Sequence, residues 1–126
     1  MKTVIYTSNA PEPIGPYSQA IAAGNLLFVS GQIAINASTN ELVLSDIKTE
    51  TKQVMENIKA ILTEAGVDFS HIIKTTIFLM DMQNFAQVNE IYGTYFTSEF
   101  PARETVQVAG LPKGVNVEIS VTAIKS

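Results

Sequence analysis

Ahead of Gly66 the apolar residues Val54, Met55, Ile58, Ile61, Leu62 and Ala65 recur at spacings of three and four, the period of one buried helical face. Ser45 or Asp46 can cap this helix and Gly66 can stop it. A second helical period spans about residues 83–96, with Phe85, Val88, Tyr92, Tyr95 and Phe96 directed to the core. Elsewhere the chain is rich in β-branched and aromatic residues, much of it alternating, which predicts strands over 3–6, 18–23, 26–35, 72–80, 104–109 and 115–124. Gly24 and Asn25 form a two-residue turn between the second and third strands. The segment "PEPIGPY" before them is a stiffened loop. The element order β-β-β-α-β-α-β-β predicts one α+β domain over residues 1–126, a six-stranded mixed sheet with two helices on one face.

Alternation sorts the sheet into faces. In the last strand Val115, Val117, Ile119, Val121 and Ala123 oppose Asn116, Glu118, Ser120 and Thr122. In the strand before it Val106 and Val108 oppose Arg103, Thr105 and Gln107, while Phe28, Ser30 and Gln32 alternate with Val29, Gly31 and Ile33. The second face, with Thr, Ser, Gln, Phe28 and Phe78, is too apolar for plain solvent and too polar for a core. It is predicted to meet other subunits, and to carry Arg103 and Glu118 together.

Composition narrows the chemistry. Twelve acidic residues against eight basic ones give a net charge of −4, which disfavours nucleic acid as a partner. Without cysteine there is no disulfide, thiolate nucleophile or sulfur-ligated metal. The N-terminus lacks a signal-peptide run and no stretch is long and apolar enough to span a bilayer, so a soluble cytoplasmic protein with no membrane partner is expected. One histidine, His71, offers neither a nucleophile–base pair nor a metal site, and reads as a surface loop residue. No phosphate-binding glycine motif is present.

Arg103 is the only arginine, beside seven lysines. Its planar fork suits a carboxylate, where an ammonium is a mobile point charge; the competing reading is an ion pair with Glu99 or Glu104. Glu118 interrupts a β-branched strand and calls for either a chemical role or a salt bridge across an interface. Asn89, four residues after Phe85 and three before Tyr92, shares their helical stripe, where its amide must find hydrogen bonds.

The stretches "PIGPYSQA" (13–20), "VSGQI" (29–33), "NEIYGTYF" (89–96) and "FPARETVQVAGLPKGVNVEI" (100–119) together resemble the RidA/YjgF family of enamine/imine deaminases, in order and spacing over nearly the whole chain. The resemblance implies a fold like that of the Bacillus-type chorismate mutase, a homotrimer with clefts between subunits and no cofactor. It implies substrates like 2-aminoacrylate and 2-aminocrotonate, released by pyridoxal-phosphate dehydratases, whose 2-imino tautomers are hydrolysed to 2-keto acids and ammonia. By matching positions, Arg103 binds the carboxylate with help from the Gly31 amide and Glu118 orders or activates water. In the same way Tyr17 walls the cleft, the Thr105 carbonyl meets the imine nitrogen, and Asn89 supports the site. Glu104 and Gly110 depart from the pattern, where members often have a small serine and an arginine. A direct hairpin through "GLPKG" would set Thr105 opposite Glu118, but the implied fold places another strand between, so the shared face is expected without that pairing. A 2-keto acid-binding regulatory module without turnover is the alternative.

Overall fold

The computed structural model describes residues 1–125. Eight strands and two helices follow in the order β1 (Lys2–Ile5), β2 (Ala20–Ala23), β3 (Leu26–Gln32), β4 (Ile35–Asn36), β5 (Glu41–Leu42), α1 (Ile47–Glu64), β6 (Ile72–Leu79), α2 (Phe85–Gly93), β7 (Ala102–Gln107) and β8 (Val117–Ile124). Six of the strands form one mixed sheet in the order β1-β2-β3-β8-β6-β7, and β4 and β5 form a small separate hairpin. The six-stranded α+β arrangement expected from periodicity is therefore present, with β4 and β5 in addition.

Local chemistry explains the boundaries. Asp46 caps α1 by accepting a hydrogen bond from the Thr49 amide at 2.8 Å, and Gly66 leaves the helix at φ 80°, the left-handed conformation that glycine tolerates. Gly24 takes φ 61° in the turn joining β2 and β3, which pair from Ala23 and Leu26 onward. The second helical period is divided: a short 3₁₀ turn at Met82–Asn84 precedes α2, which ends at Gly93. The last strand starts at Val117 rather than Val115, because a tight turn at Pro112–Gly114 holds Lys113 and Gly114 at φ 56° and 68°.

One face of the sheet carries both helices. Val54, Met55, Ile58, Ile61 and Leu62 of α1 are almost fully excluded from solvent, as are Ile77, Leu79, Val117, Ile119 and Ala123 of the sheet. At about 1.5–3 kcal/mol per large apolar side chain, this layer supplies most of the stabilisation. No helix among the described residues is long and apolar enough to cross a membrane.

The other face has no helix over it. Register places Val4, Ile21, Phe28, Thr122 and Lys74 in one row across it, then Ser120, Thr76 and Glu104, then Glu118, Phe78 and Val106. Phe28 is 47% exposed and Val106 40%.

Two face assignments made from alternation are corrected. A bulge in β3, where Val29 pairs with Val121 but Gln32 with Ile119, inserts one residue and flips the alternation. Gln32 is therefore buried and Gly31 lies on the open face. In β7, Val106 is on the open face and Arg103 and Thr105 are on the helix side, as the register partners of Thr75 and the core residue Ile77. The nine-residue α2 covers this edge only in part, so the inward positions are only half-buried and accept the polar Arg103 and Thr105, while Val106 stays exposed. β6 separates β7 from β8, as the resembled fold implies and a direct hairpin does not.

Candidate active site

Arg103 stands on the edge strand β7 with its guanidinium carbon 5.1 Å from the ring centre of Tyr92 and 5.6 Å from that of Phe85. The Tyr92 hydroxyl donates to Thr75 Oγ1 at 2.9 Å, which fixes the ring beside the register partner of Arg103. Such ring contacts hold a guanidinium without neutralising it, at about 0.5–1 kcal/mol each where partly exposed. Among the described residues Arg103 has no ion pair. Glu104 points to the opposite face, where it pairs with Lys74 at 3.0 Å and accepts from Thr76. The Thr76 hydroxyl, then Lys74, hold its carboxyl below the usual range.

Two polar atoms on the Arg103 side are buried without a partner: Asn89 Oδ1 and Thr105 Oγ1. Asn89 lies on the same stripe of α2 as Phe85 and Tyr92, and Thr105 shares the Arg103 side of β7. Unpaired buried polar atoms cost free energy; their gathering beside an unpaired cation marks a place prepared for a polar ligand or a second chain.

Glu118 occupies the open face on β8. No hydrogen bond or ion pair among the described residues meets its carboxylate, and partial burial pushes its pKa above the ordinary glutamate value. Its side chain lies across Gly31: a Cβ there would sit 2.1 Å from Oε2 and 2.8 Å from Cδ. Glycine is thus dictated by close approach. Ile14, Tyr17, Ser30, Gly31, Pro112 and Glu118 line one open groove. Gln19 anchors the loop that delivers Ile14 and Tyr17. Its amide nitrogen donates to the carbonyls of Thr7, Ala10 and Pro11, and its oxygen accepts from the Thr7 amide.

The six residues singled out from sequence therefore form two groups within one chain. Tyr17, Gly31 and Glu118 are on the open face; Arg103, Asn89 and Thr105 are on the helix side at the β7 edge. Arg103 pairs with Thr75 and Glu118 with Phe78, on either side of β6. Two strand spacings and three residues separate them, about 14 Å between Cα atoms, with side chains on opposite faces. The expected shared face does not exist in the single chain. Sequence reasoning misses Gln19, Glu50 and Asn57, the last donating to the carbonyls of Ile33 and Ile35 at 3.0 Å, and reads Phe85 as core-directed although it is 39% exposed and lies against Arg103. Glu50 and Asn57 flank Val54 on the buried stripe of α1, and a polar residue at such a position is the signal that marks them.

Comparison with known proteins finds relatives along nearly the whole chain. A family model described as Endoribonuclease L-PSP matches residues 7–125. A RutC family protein of Pyrococcus horikoshii is 56% identical over 125 residues, covering 99% of each chain. A 2-iminobutanoate/2-iminopropanoate deaminase of Homo sapiens is 46% identical, covering 99% of this chain and 91% of its own. The structure of E. coli TdcF with bound serine superposes with a TM-score of 0.94 at 40% identity, covering 98% of this chain and 99% of the other. With fold, motifs and near-complete coverage in agreement, the chain belongs to the RidA/YjgF family.

Proposed function

We propose that this protein hydrolyses 2-imino acids to 2-keto acids and ammonia in clefts between the subunits of a homotrimer. The observation that carries the reading is the division of the site. Among the described residues, a lone arginine with no carboxylate partner and a carboxylate with no cation partner lie too far apart to share a small substrate in one chain. Bringing the Arg103 side of one copy to the Glu118 groove of the next completes a pocket with one cation, one carboxylate and two polar atoms awaiting partners. The human relative's name, a 2-iminobutanoate/2-iminopropanoate deaminase, supports the substrate class.

In this pocket Arg103 takes the substrate carboxylate through two parallel hydrogen bonds, and the Gly31 amide adds a third donor. Tyr17 walls the groove, Asn89 supports the Arg103 side, and the Thr105 carbonyl receives the imine N–H. The oxygen of a water held by Glu118 adds to the imine carbon; Glu118 accepts the water proton and passes it to the imine nitrogen, giving a carbinolamine with Glu118 ionised again. In the collapse Glu118 takes the hydroxyl proton and gives it to the amine nitrogen, so that the C=O bond forms as the C–N bond breaks, ammonia leaves and Glu118 ends as it began. The imine carbon is already electrophilic, so positioning and charge placement suffice.

The supply of such substrates by pyridoxal-phosphate dehydratases belongs to the same proposal. So does a cytoplasmic location. Nucleic acid stands outside it, since a chain of net charge −4 lacks the electrostatic footprint of a phosphate binder.

Sensing of a 2-keto or amino acid without turnover is the second reading, favoured by the serine in the related TdcF structure. A trapping competition separates the two. Threonine dehydratase generates 2-aminocrotonate in the presence of semicarbazide, and semicarbazone formation is followed with the protein and with Arg103→Ala. Suppression by the wild type alone is the expected result; saturable 2-ketobutyrate binding without suppression would favour sensing.

A further inference from the structure

We infer that Glu50 is a positioning residue for Glu118: it fixes the first residues of β8 from the helix side, so that the carboxylate leaving the strand one residue later stands over Gly31. The inference rests on the proposed role of Glu118, although the placement itself is independent of it.

Glu50 lies in the first turn of α1 and is wholly excluded from solvent. No cation pairs with it among the described residues. Instead Oε2 accepts from the backbone amides of Asn116 at 2.7 Å and Val117 at 3.3 Å, and Oε1 accepts from the Asn116 side-chain amide at 2.8 Å. These three donors satisfy both oxygens of the buried carboxyl. A buried carboxyl is a poor way to gain stability when an apolar residue could fill the same stripe. What the carboxylate supplies is fixed geometry.

That geometry is needed here. The approach to β8 passes through two residues at positive φ, Lys113 and Gly114, and Pro112 of this turn lines the Glu118 groove. Where the turn joins the strand, Asn116 is held from two sides. Its amides donate to Glu50 and its carbonyl accepts from the Met80 amide at 3.1 Å. Val117 then turns into the core and Glu118 to the open face. The fit of Glu118 over Gly31 is close enough that a small slip of β8 moves the carboxylate relative to substrate.

The test uses the full chain with Glu50→Gln, Glu50→Met and Asn116→Ala, reading single-turnover imine hydrolysis beside 2-ketobutyrate binding. Glu50→Gln retains an oxygen for both backbone amides, and Asn116 can turn its Oδ1 to the new NH₂, so it stays near wild type. Glu50→Met should lose about tenfold or more in rate, the scale of a sub-ångström to 1 Å misplacement, with 2-ketobutyrate affinity largely kept. Asn116→Ala, which leaves the backbone bonds intact, gives a smaller loss of the same kind and serves if the methionine variant does not fold. The Glu118 carboxyl, followed by ¹³C NMR titration, supplies a readout independent of turnover. It should move toward the ordinary glutamate range in Glu50→Met, or by a smaller amount in Asn116→Ala, and remain in place in Glu50→Gln. Absence of hydrolysis by the wild type would overturn the proposed function, and this titration would still decide the positioning claim. A folded Glu50→Met protein with wild-type rate and unchanged Glu118 titration overturns the inference. So does parallel loss of rate and binding, which would mark a general loosening.

Discussion

Gly31→Ala tests the placement of Glu118 with a single methyl group. The added Cβ would lie 2.1 Å from Oε2, 2.8 Å from Cδ and 3.1 Å from Cγ of Glu118, and an ordinary contact begins near 3.4 Å. The nearest oxygen must therefore retreat by about 1.3 Å, and the obstruction is the end of a flexible side chain rather than backbone. Gly31 is not among the positive-φ glycines, so alanine meets no backbone strain. The fold should survive, with a melting temperature within a few degrees of wild type, as expected when the stability change is about 1 kcal/mol or less. Catalysis should not survive intact: displacement on the order of 1 Å costs about 10²-fold when the group orients water. The assay is single-turnover hydrolysis of dehydratase-generated 2-iminobutanoate, with 2-ketobutyrate titration to confirm that ligand still enters. Wild-type turnover in folded Gly31→Ala would refute the argument that Glu118 acts from its position over Gly31.

Three further outcomes follow from the same geometry. Arg103→Ala should lose about 1.5–3 kcal/mol of 2-ketobutyrate binding, and Arg103→Lys should recover little of it, since an ammonium neither forks nor lies flat between Phe85 and Tyr92; titration calorimetry reads both. Glu118→Gln should abolish turnover yet stabilise the fold at neutral pH. Burial raises the Glu118 pKa, so the folded state binds its proton more tightly than the unfolded state, and that contribution is present below the unfolded pKa and lost as pH rises through the folded one. The melting-temperature advantage of Glu118→Gln should therefore grow above the carboxylate range and vanish in acid; an advantage independent of pH contradicts the assignment. Thr105→Val removes an unpaired buried hydroxyl and should leave stability undiminished and activity within about threefold, because the proposed contact is the backbone carbonyl. A large loss of activity would transfer the role to Oγ1.

Periodicity gave the helices and most strands because their patterns are driven by burial. The Val54 to Leu62 stripe meets the core for the reason that its spacing suggested, and Asp46 caps the helix as its chemistry requires. Faces were legible only where both sides of a strand differ in burial. β8 is central, and Val117, Ile119, Val121 and Ala123 face the core as alternation predicts. β7 is an edge strand under a short helix, where polar Arg103 and Thr105 are the half-buried, inward set and Val106 is exposed, the reverse of what apolar alternation reads. One inserted residue in β3 likewise reversed Gln32 and Gly31. Arg103 and Glu118 were visible as chemical exceptions, a single guanidinium and a carboxylate in a β-branched run. Their placement on opposite sides of the sheet was not, because it depends on pairing with β6. The contact from Glu50 to Asn116 spans 66 residues, and local pattern carries no trace of its partner.

The central claim is that each working site takes Arg103 from one copy and Glu118 from another. Arg103→Ala and Glu118→Gln proteins, each inactive alone, are to be mixed in equal amounts, dissociated under mild denaturant and reassembled, with sedimentation velocity to verify the trimer. Random reassembly draws both intact halves into about a quarter of the interfaces. The account predicts recovery of about a quarter of wild-type imine hydrolysis from two inactive parents. Reassembled trimers that remain inactive would contradict it.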